Sequence, residues 1–551
     1  MRPRRKTLRL RGAVLLCLIS GALLALCFPM AGRASVGIWP LAWVALVPWL
    51  IALRLSNGWG AALGSWLGGF AFYGILLSWL WLFGGTVWAL ACVVLSLTLL
   101  FWGLCVRWIG RLSPALRVLG AAVLWCGVEW ARGLGQFGFT WGWLGYSQSP
   151  ALPILPVASV AGTLGLSFLI ALVNAALAEA ILGVMQEERP LNWLGRTVMA
   201  LALVGLAIIG AREWRQRLGR LSGPTVRVAI VQGSTTGPLL AEKVNVPMTQ
   251  EEHARTRQKY LALTAETAQK RPSLVVWPES ALPGAPEEEP SVAESVARAA
   301  RVSHAWLLAG GPYQDSGRQY NSAYLYAPSG NLVARYDKVQ LVPFGEYVPA
   351  RERLPSLKRY HVRDFDFSAG AVHHVLQAGT VSLGPMICFE SIFPQISWQL
   401  VRRGAQVLVI MTNDAWFGDT AAAAQHHQIA VLRAVETNRW VVRAASTGIS
   451  SFISPEGKVV SQAGMFESKV LTQEITLAPE GARNAGPAQA FAWIMEFLSL
   501  VFLIAPAALP RAGRRSSTNK VRRSPGEGGR RSATTRPKTL RPRPPRPTRR
   551  A

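Results

Sequence analysis

Cysteine is scarce, and its distribution rules out a disulfide framework. The 551-residue chain has six: Cys17, Cys27, Cys92, Cys105 and Cys126 lie in strongly apolar N-terminal segments, and Cys388 is alone in everything that follows. No two cysteines share the polar region, so that region has no internal disulfide. No C-x-x-C pair and no Cys/His zinc spacing occurs. His373-His374 and His426-His427 are adjacent pairs rather than ligands at helical spacing, so neither a metal nor a cofactor is expected. Acid is also in short supply, with 30 Asp and Glu against 58 Lys and Arg. The imbalance is local. Residues 1–11 hold six Lys/Arg and no acid, and residues 511–551 hold fifteen with only Glu527 against them, so the ends carry +20 of the net +28. A body this near neutral argues against a nucleic-acid-binding core, and no nucleic acid is expected as a partner. What is abundant is apolar: half the residues are hydrophobic and 16% charged, the balance of a membrane protein with basic ends.

Eight segments approach the ~20 apolar residues that cross a bilayer as a helix. They are 12–30, 36–53, 61–82, 86–106, 115–131, 154–182, 196–211 and 489–508. The first reads as an uncleaved signal anchor, since its apolar core is long and further spans follow at once. Leu26 is too bulky for a lipoprotein cleavage site before Cys27. Seven crossings from a cytoplasmic basic N-terminus (1–11) deliver residues 212–488 to the outer face. The eighth returns the chain, leaving the tail 511–551 inside. The loop carrying Arg107, Arg111 and Arg117 then falls inside as well, as the charge rule asks. "AREWRQRLGR" runs against that rule, with four arginines just outside the seventh span. The tail, rich in Arg, Pro, Ser and Gly, is too polar to fold and suits anionic lipid heads; contact with nucleic acid or ribosome is the alternative for it.

Residues 225–480 read as a soluble α/β domain. β-rich runs ("TVRVAIVQG", "SLVVWPES", "AWLLAGG", "VSLGPMICFES", "AQVLVIMTND") alternate with helix-like stretches at 250–270, 290–302, 394–403 and 422–437. "APSGN" and "SPEGKVV" mark hairpin turns.

Three polar residues sit where a core would not choose them. Glu279 ends "LVVWPES", Lys338 lies in "RYDKVQLVPFGEYVP", and Cys388 ends "LGPMIC". Strand ends are where an α/β sheet delivers side chains into a crevice. Taken singly, each has an ordinary reading: a turn glutamate, a solvated lysine, a small buried hydrophobe. Together they are the parts for acyl transfer through a thioester. A thiolate is the nucleophile, a carboxylate takes and returns its proton, and an ammonium favours both thiolate and oxyanion.

This set resembles the Glu-Lys-Cys triad of the nitrilase superfamily. The membrane motifs narrow the resemblance. "FPMAG…WPLAWVALVPWL", "EWARGLGQFGFTWGWLGYSQ" (129–148) and "MTNDAWFGDT…QHHQIAVLRAVETNRWVVRAASTGISSFISPEGKV" are similar to the apolipoprotein N-acyltransferases. The resemblance spans roughly 12–508. It implies a polytopic all-α membrane domain of about eight spans (12–211 and 489–508) joined to a periplasmic nitrilase-like αββα sandwich (225–480). It implies an inner-membrane enzyme that moves the sn-1 acyl chain of a phospholipid, typically phosphatidylethanolamine, through a cysteine thioester. The acceptor is the N-terminal amine of a diacylglyceryl-cysteine apolipoprotein. By the same resemblance Cys388 is the nucleophile, Glu279 the base and then acid, and Lys338 the oxyanion partner with the N–H of Phe389. Glu346 supports the triad and orients Lys338. Glu390 matches the acid two residues after the nucleophile, Asn321 a polar position of the pattern, and Trp416 lines the pocket. Two positions depart from the pattern. Phe389 stands where tyrosine is usual, and "QGSTTG" replaces Gln-Gly-Asn-Ile. Two other readings stay open: a membrane-fused amidase or nitrilase that hydrolyses its thioester, and a transporter or scaffold with an inactive nitrilase-like domain.

Overall fold

A computed structural model of the chain describes residues 8–30, 36–219, 221–235, 249–349, 365–482 and 486–508. The tail 511–551, most of the basic N-terminus and the continuation of the "QGSTTG" loop lie outside the described residues.

The apolar N-terminal runs form helices α1 (Leu10–Leu26), α2 (Val47–Leu55, entered by short turns from Trp39), α3 (Gly58–Leu76), α4 (Gly85–Trp108), α5 (Pro114–Arg132), α6 (Ala158–Met185) and α7 (Pro190–Leu218). Glycine decides how closely α1 meets α3. A Cβ at Gly21 would fall 2.2 Å from Gly68 O, and one at Gly64 would fall 2.9 Å from Cys17 Sγ. Small residues let membrane helices approach in this way, where no hydrophobic gain separates helix from lipid. Helix α6 runs through the centre of the group. It breaks at Gly162, whose φ of 63° lies in the left-handed region where glycine avoids a Cβ clash. Helix α7 is the opposite case: Leu191, Leu201, Leu206 and Ile209 stand exposed along it, a surface suited to lipid. Among the described residues, four helices are long and apolar enough to cross a membrane: α4, α6, α7 and a C-terminal helix at Gly486–Ala508. The stretches Leu10–Leu26 and Trp39–Leu55 are shorter and apolar. The eight spans expected from the sequence are therefore four by length and hydropathy together.

Between α7 and the C-terminal helix the chain folds into two six-stranded sheets. The first has the order β12-β1-β2-β3-β4-β5 and the second β11-β10-β9-β8-β7-β6. The strands are β1 (Thr225–Gln232), β2 (Leu274–Val276), β3 (Trp306–Asp315), β4 (Arg318–Tyr326), β5 (Leu332–Asp337), β6 (Leu376–Ala378), β7 (Val381–Ile387), β8 (Val407–Thr412), β9 (Val441–Ala445), β10 (Ser451–Ile453), β11 (Val459–Gln462) and β12 (Lys469–Thr476). β1, β2 and β3 run parallel, as do β7, β8 and β9. Parallel neighbours need crossovers. These are supplied by α8 (Gln250–Ala268), α9 (Pro290–Ser303), α10 (Pro394–Arg402) and α11 (Ala421–Thr437). One apolar core, including Val228, Val276, Leu308, Leu383 and Val409, lies between the sheets. A second joins α8 and α9 to the outer face of the first sheet. The outer face of the second sheet, with α10 and α11, shares a continuous core with the N-terminal helices. The layers are therefore helix, sheet, sheet, helix, and the last helical layer rests on the apolar helices. This explains α11, "AAAAQHHQIAVLRAVET", all of whose residues are buried despite the polar ones.

Candidate active site

Strand ends from both sheets converge. Cys388 is the first residue after β7 and opens a short 3₁₀ turn, Cys388–Ile392. Its φ of 52° is left-handed, as are Ser280 (55°), next to Glu279, and Phe344 (63°), two residues before Glu346. A non-glycine residue held there costs ~1–3 kcal/mol, and such strain persists only where surroundings over-determine it. Cys388 is half-buried.

Glu279 and Lys338 are buried, at 6% and 1% exposure. Gly310 lets β3 pass close behind the carboxylate: a Cβ there would lie 2.7 Å from Glu279 Cα. Glu279 Oε1 accepts from Asn321 Nδ2 at 2.7 Å, and Oε2 accepts from the backbone N–H of Asn413, just past β8, at 2.7 Å. The second bond ties one sheet to the other. Lys338 Nζ donates to Glu346 Oε1 at 2.9 Å and lies 3.7 Å from Glu279 Oε1. Asn321 Nδ2 also donates to Glu346 Oε1, at 3.1 Å, and Val342 N–H donates to Glu346 Oε2 at 2.8 Å. Four buried polar side chains thus hold one another.

Burial sets the electrostatics. It pushes the Glu279 carboxyl up, with the Lys338 ammonium opposing and the Glu346 charge adding to the rise. Burial alone would lower Lys338. Glu346, Glu279 and the Cys388 sulfur outweigh it and hold the ammonium above its ordinary value. The Cys388 thiol is raised by burial and by Glu279, and lowered by Lys338 and by the hydroxyl of Thr412. A raised thiol next to a raised carboxyl is a pair in which the sulfur gives up its proton only as it attacks.

Glu390 is fully buried. Its Oε1 accepts from Val339 N–H at 2.8 Å, Gln340 N–H at 3.2 Å and Tyr336 OH at 2.9 Å, while Oε2 accepts from Ile387 N–H at 2.7 Å. It fastens the segment after Lys338 to the turn that carries Cys388. The first N–H groups of a 3₁₀ turn have no partner inside it, which leaves the Phe389 N–H directed away from the turn. The Phe389 ring lies against Phe139, with centroids 6.4 Å apart, and against Phe393 at 5.2 Å. Trp416 is not in the polar cluster. It follows β8 and stacks on Phe83, with centroids 6.5 Å apart.

The segment 129–148 clasps the end of the Cys388–Ile392 turn and the helix after it. Thr140 Oγ1 donates to Ile392 O at 2.6 Å, Tyr146 OH donates to the same oxygen at 3.1 Å, and Gln395 Nε2 donates to Gly133 O at 2.8 Å. Phe139 stacks on Trp141, and Trp141 packs on Trp79 and Phe417, an aromatic wall running from Phe389 to the apolar helices. Farther along, Glu436 Oε1 accepts from both the N–H and the hydroxyl of Thr163 at 2.6 Å, satisfying the helix start at the Gly162 break.

Residues that the sequence did not single out complete the site. Asp414, His426, Arg443, Ser391 and Thr412 are all buried behind Cys388. His426 was visible only as half of an adjacent pair. A charged Arg443 inside a strand of otherwise apolar and small residues was the available signal.

Two family models match the chain: "Carbon-nitrogen hydrolase" over residues 227–483 and "Apolipoprotein N-acyltransferase N-terminal domain" over 20–176. The chain is similar to the apolipoprotein N-acyltransferase of Geobacter metallireducens, 35% identical, covering 87% of this chain and 92% of that protein. It is also similar to that of Allorhizobium ampelinum, 31% identical, covering 92% and 97%. A solved amidase from Nesterenkonia sp. overlays 47% of this chain and 93% of its own at 18% identity, with a TM-score of 0.33.

Proposed function

The chain belongs to the apolipoprotein N-acyltransferase family, and from that premise we propose how its residues carry out the family's reaction. It is an acyltransferase of lipoprotein maturation with a nitrilase-like domain. Cys388 Sγ attacks the ester carbonyl of a phospholipid, preferentially at sn-1, while Glu279 takes the thiol proton. The oxyanion is met by Lys338 Nζ and the N–H of Phe389. Collapse expels the lysophospholipid alkoxide, which recovers the proton from Glu279 and leaves a thioester. The N-terminal amine of a diacylglyceryl-cysteine apolipoprotein then attacks that thioester. Glu279 accepts the amine proton and returns it to the departing sulfur, so the cycle balances.

The observation that supports this reading is the convergence of Glu279, Lys338, Glu346 and Asn321 near a half-buried Cys388, whose neighbour Phe389 meets an aromatic wall. Glu346 and Asn321 set Lys338 and Glu279 in place, Glu390 holds the turn, and Trp416 lies along the aromatic approach. Lipid-borne substrates give the apolar helices a purpose: both reactants diffuse in the same plane as the enzyme. In this reading α1 to α7 and the C-terminal helix each cross, eight times in all. The catalytic domain then lies on the side opposite both termini, the periplasmic side of a bacterial inner membrane.

A membrane-fused hydrolase would use the same triad with water as acceptor. The test is incubation of the purified chain with labelled phospholipid. Transfer predicts an acyl-enzyme that persists until a diacylated peptide amine is added. Prompt release of free fatty acid without the amine would instead make the chain a hydrolase.

A further inference from the structure

Behind the nucleophile lies a buried polar chain that the acyl-transfer steps do not use. Ser391 Oγ donates to the carbonyl of Cys388 at 2.8 Å and lies 2.7 Å from His426 Nε2. The serine hydroxyl has one proton and spends it on that carbonyl, which assigns the ring proton to Nε2. Nδ1 then accepts from Arg443 Nη2 at 3.2 Å and lies as close to Asp414 Oδ1, while the same Nη2 donates to Asp414 Oδ2 at 2.8 Å. Asp414 Oδ1 accepts from Thr412 Oγ1 at 2.9 Å. Thr412 ends β8, and the parallel register pairs Met411 with Ile387. Thr412 therefore stands level with Cys388 on the neighbouring strand, and residues in register put their side chains on the same side of a sheet. The chain closes on the residue where it began. It holds the Cys388 carbonyl through Ser391 on one side and sets Thr412 beside the same residue on the other.

The packing around this loop is tight. Thr412, Ser391 and Arg443 have no measurable exposure, and Asp414 and His426 have 1% each. A Cβ at Gly448 would fall 2.0 Å from Asp414 Oδ2, so only glycine leaves room for the carboxylate. The His426 ring lies against Trp141, with centroids 5.6 Å apart, and edge-on to Phe417 at 6.4 Å. Burying an aspartate, an arginine and a histidine is costly unless each is paired. Core packing alone has no need of them.

We propose that Asp414, His426 and Arg443 form a positioning unit for the nucleophile, fixing the Cys388 carbonyl through Ser391 and presenting the Thr412 hydroxyl to the sulfur. Thr412 has one proton to share. In the resting thiol it goes to Asp414. As the sulfur loses its own proton, the hydroxyl turns to the sulfur, and Asp414 keeps Arg443. The thiolate gains a neutral donor that brings no competing charge. The proposal rests on Cys388 being the nucleophile, but its test needs no lipid.

The test is the rate of Cys388 alkylation by iodoacetamide in the detergent-solubilised full chain, followed by peptide mass spectrometry across neutral to alkaline pH. Thr412→Val keeps the shape and removes the hydroxyl. It should slow alkylation about tenfold at any pH below the thiol midpoint, the loss of one hydrogen bond to a charged group. Thr412→Ser should react like the unaltered chain. A folded Thr412→Val with an unaltered alkylation profile overturns the proposal. Should that variant not fold, Ser391→Ala carries the test: slower alkylation at an unchanged melting temperature is expected, and an unchanged rate overturns the proposal. If Thr412→Val slows alkylation while Cys388 takes no acyl group from phospholipid, the nucleophile reading fails and the positioning unit stands.

Discussion

Glu390 offers a sharp test because its place in the structure separates holding from chemistry. Its carboxylate accepts four hydrogen bonds and meets no reacting group. In Glu390→Gln the amide oxygen serves the three donors now on Oε1, and the NH₂ is left facing Ile387 N–H. One buried backbone donor loses its partner, at a cost of about 1–3 kcal/mol. At about 2–4 °C per kcal/mol for a domain of this size, melting should fall by roughly 2–12 °C. In Glu390→Ala three backbone donors lose their acceptor, which by the same reckoning costs about 3–9 kcal/mol. That approaches the roughly 5–15 kcal/mol that holds a whole domain, so the alanine variant should fail to accumulate folded. The assays are thermal unfolding in detergent and the rate of acyl-enzyme formation. The glutamine variant should lose stability and activity together, because the Lys338 segment shifts relative to Cys388. A glutamine variant that melts like the unaltered chain yet has lost activity would refute the reasoning, since it would make Glu390 a participant in the chemistry.

Three further outcomes follow from the site. Lys338→Met should lower the acylation rate about 100- to 1,000-fold, the scale of one lost oxyanion donor, while phospholipid binding measured with a Cys388→Ser background stays in place; an unchanged rate would remove Lys338 from the mechanism. Glu279 works ionised and its carboxyl is raised by burial, so the acid limb of kcat/KM for acylation should lie above the ordinary carboxylate range. The Glu346 charge adds to that rise, so Glu346→Gln should move the limb to lower pH as well as reduce the rate, and a limb that stays put would contradict the assignment. Asp414 is held well below its ordinary value; burial opposes this, but the Arg443 guanidinium outweighs it. A depressed carboxyl stabilises the fold above its unfolded pKa of about 4 and loses that contribution as pH falls below it. Melting should therefore drop on the acid side, and Asp414→Asn should flatten that drop while destabilising the chain at neutral pH by about 3–5 kcal/mol, through the unpaired Arg443.

The candidate site was legible because each of its three proposed reacting residues follows an apolar run and ends it with a polar group that a core would refuse. Glu279, Lys338 and Cys388 each stand one to three residues past a strand end. What holds them was not legible, because those partners are distant in sequence. Glu390 bonds Val339, 51 positions away, and Glu279 bonds Asn413, 134 positions away. Such pairs are set by sheet register rather than by local pattern. His426 looked like half of an idle pair because α11 gives no amphipathic signal: the sheet covers one face and the apolar helices the other. Length and hydropathy together pick out four helices, fewer than the eight expected from the sequence, for a related reason. Helix α3 needs glycine to pack on α1, and α5 holds Arg117, Glu129 and Arg132. Close packing and internal polar contacts dilute the hydropathy by which a crossing helix is recognised.

The central claim is that Cys388 carries the acyl chain, and intact-mass and peptide mass spectrometry of the purified chain after exposure to phospholipid tests it most directly. The account predicts one fatty-acyl adduct on Cys388, absent from Cys388→Ala and Glu279→Gln, and discharged by a diacylated peptide amine. An unmodified Cys388 in a chain that still acylates the peptide, or an adduct that forms equally well in Glu279→Gln, would contradict it.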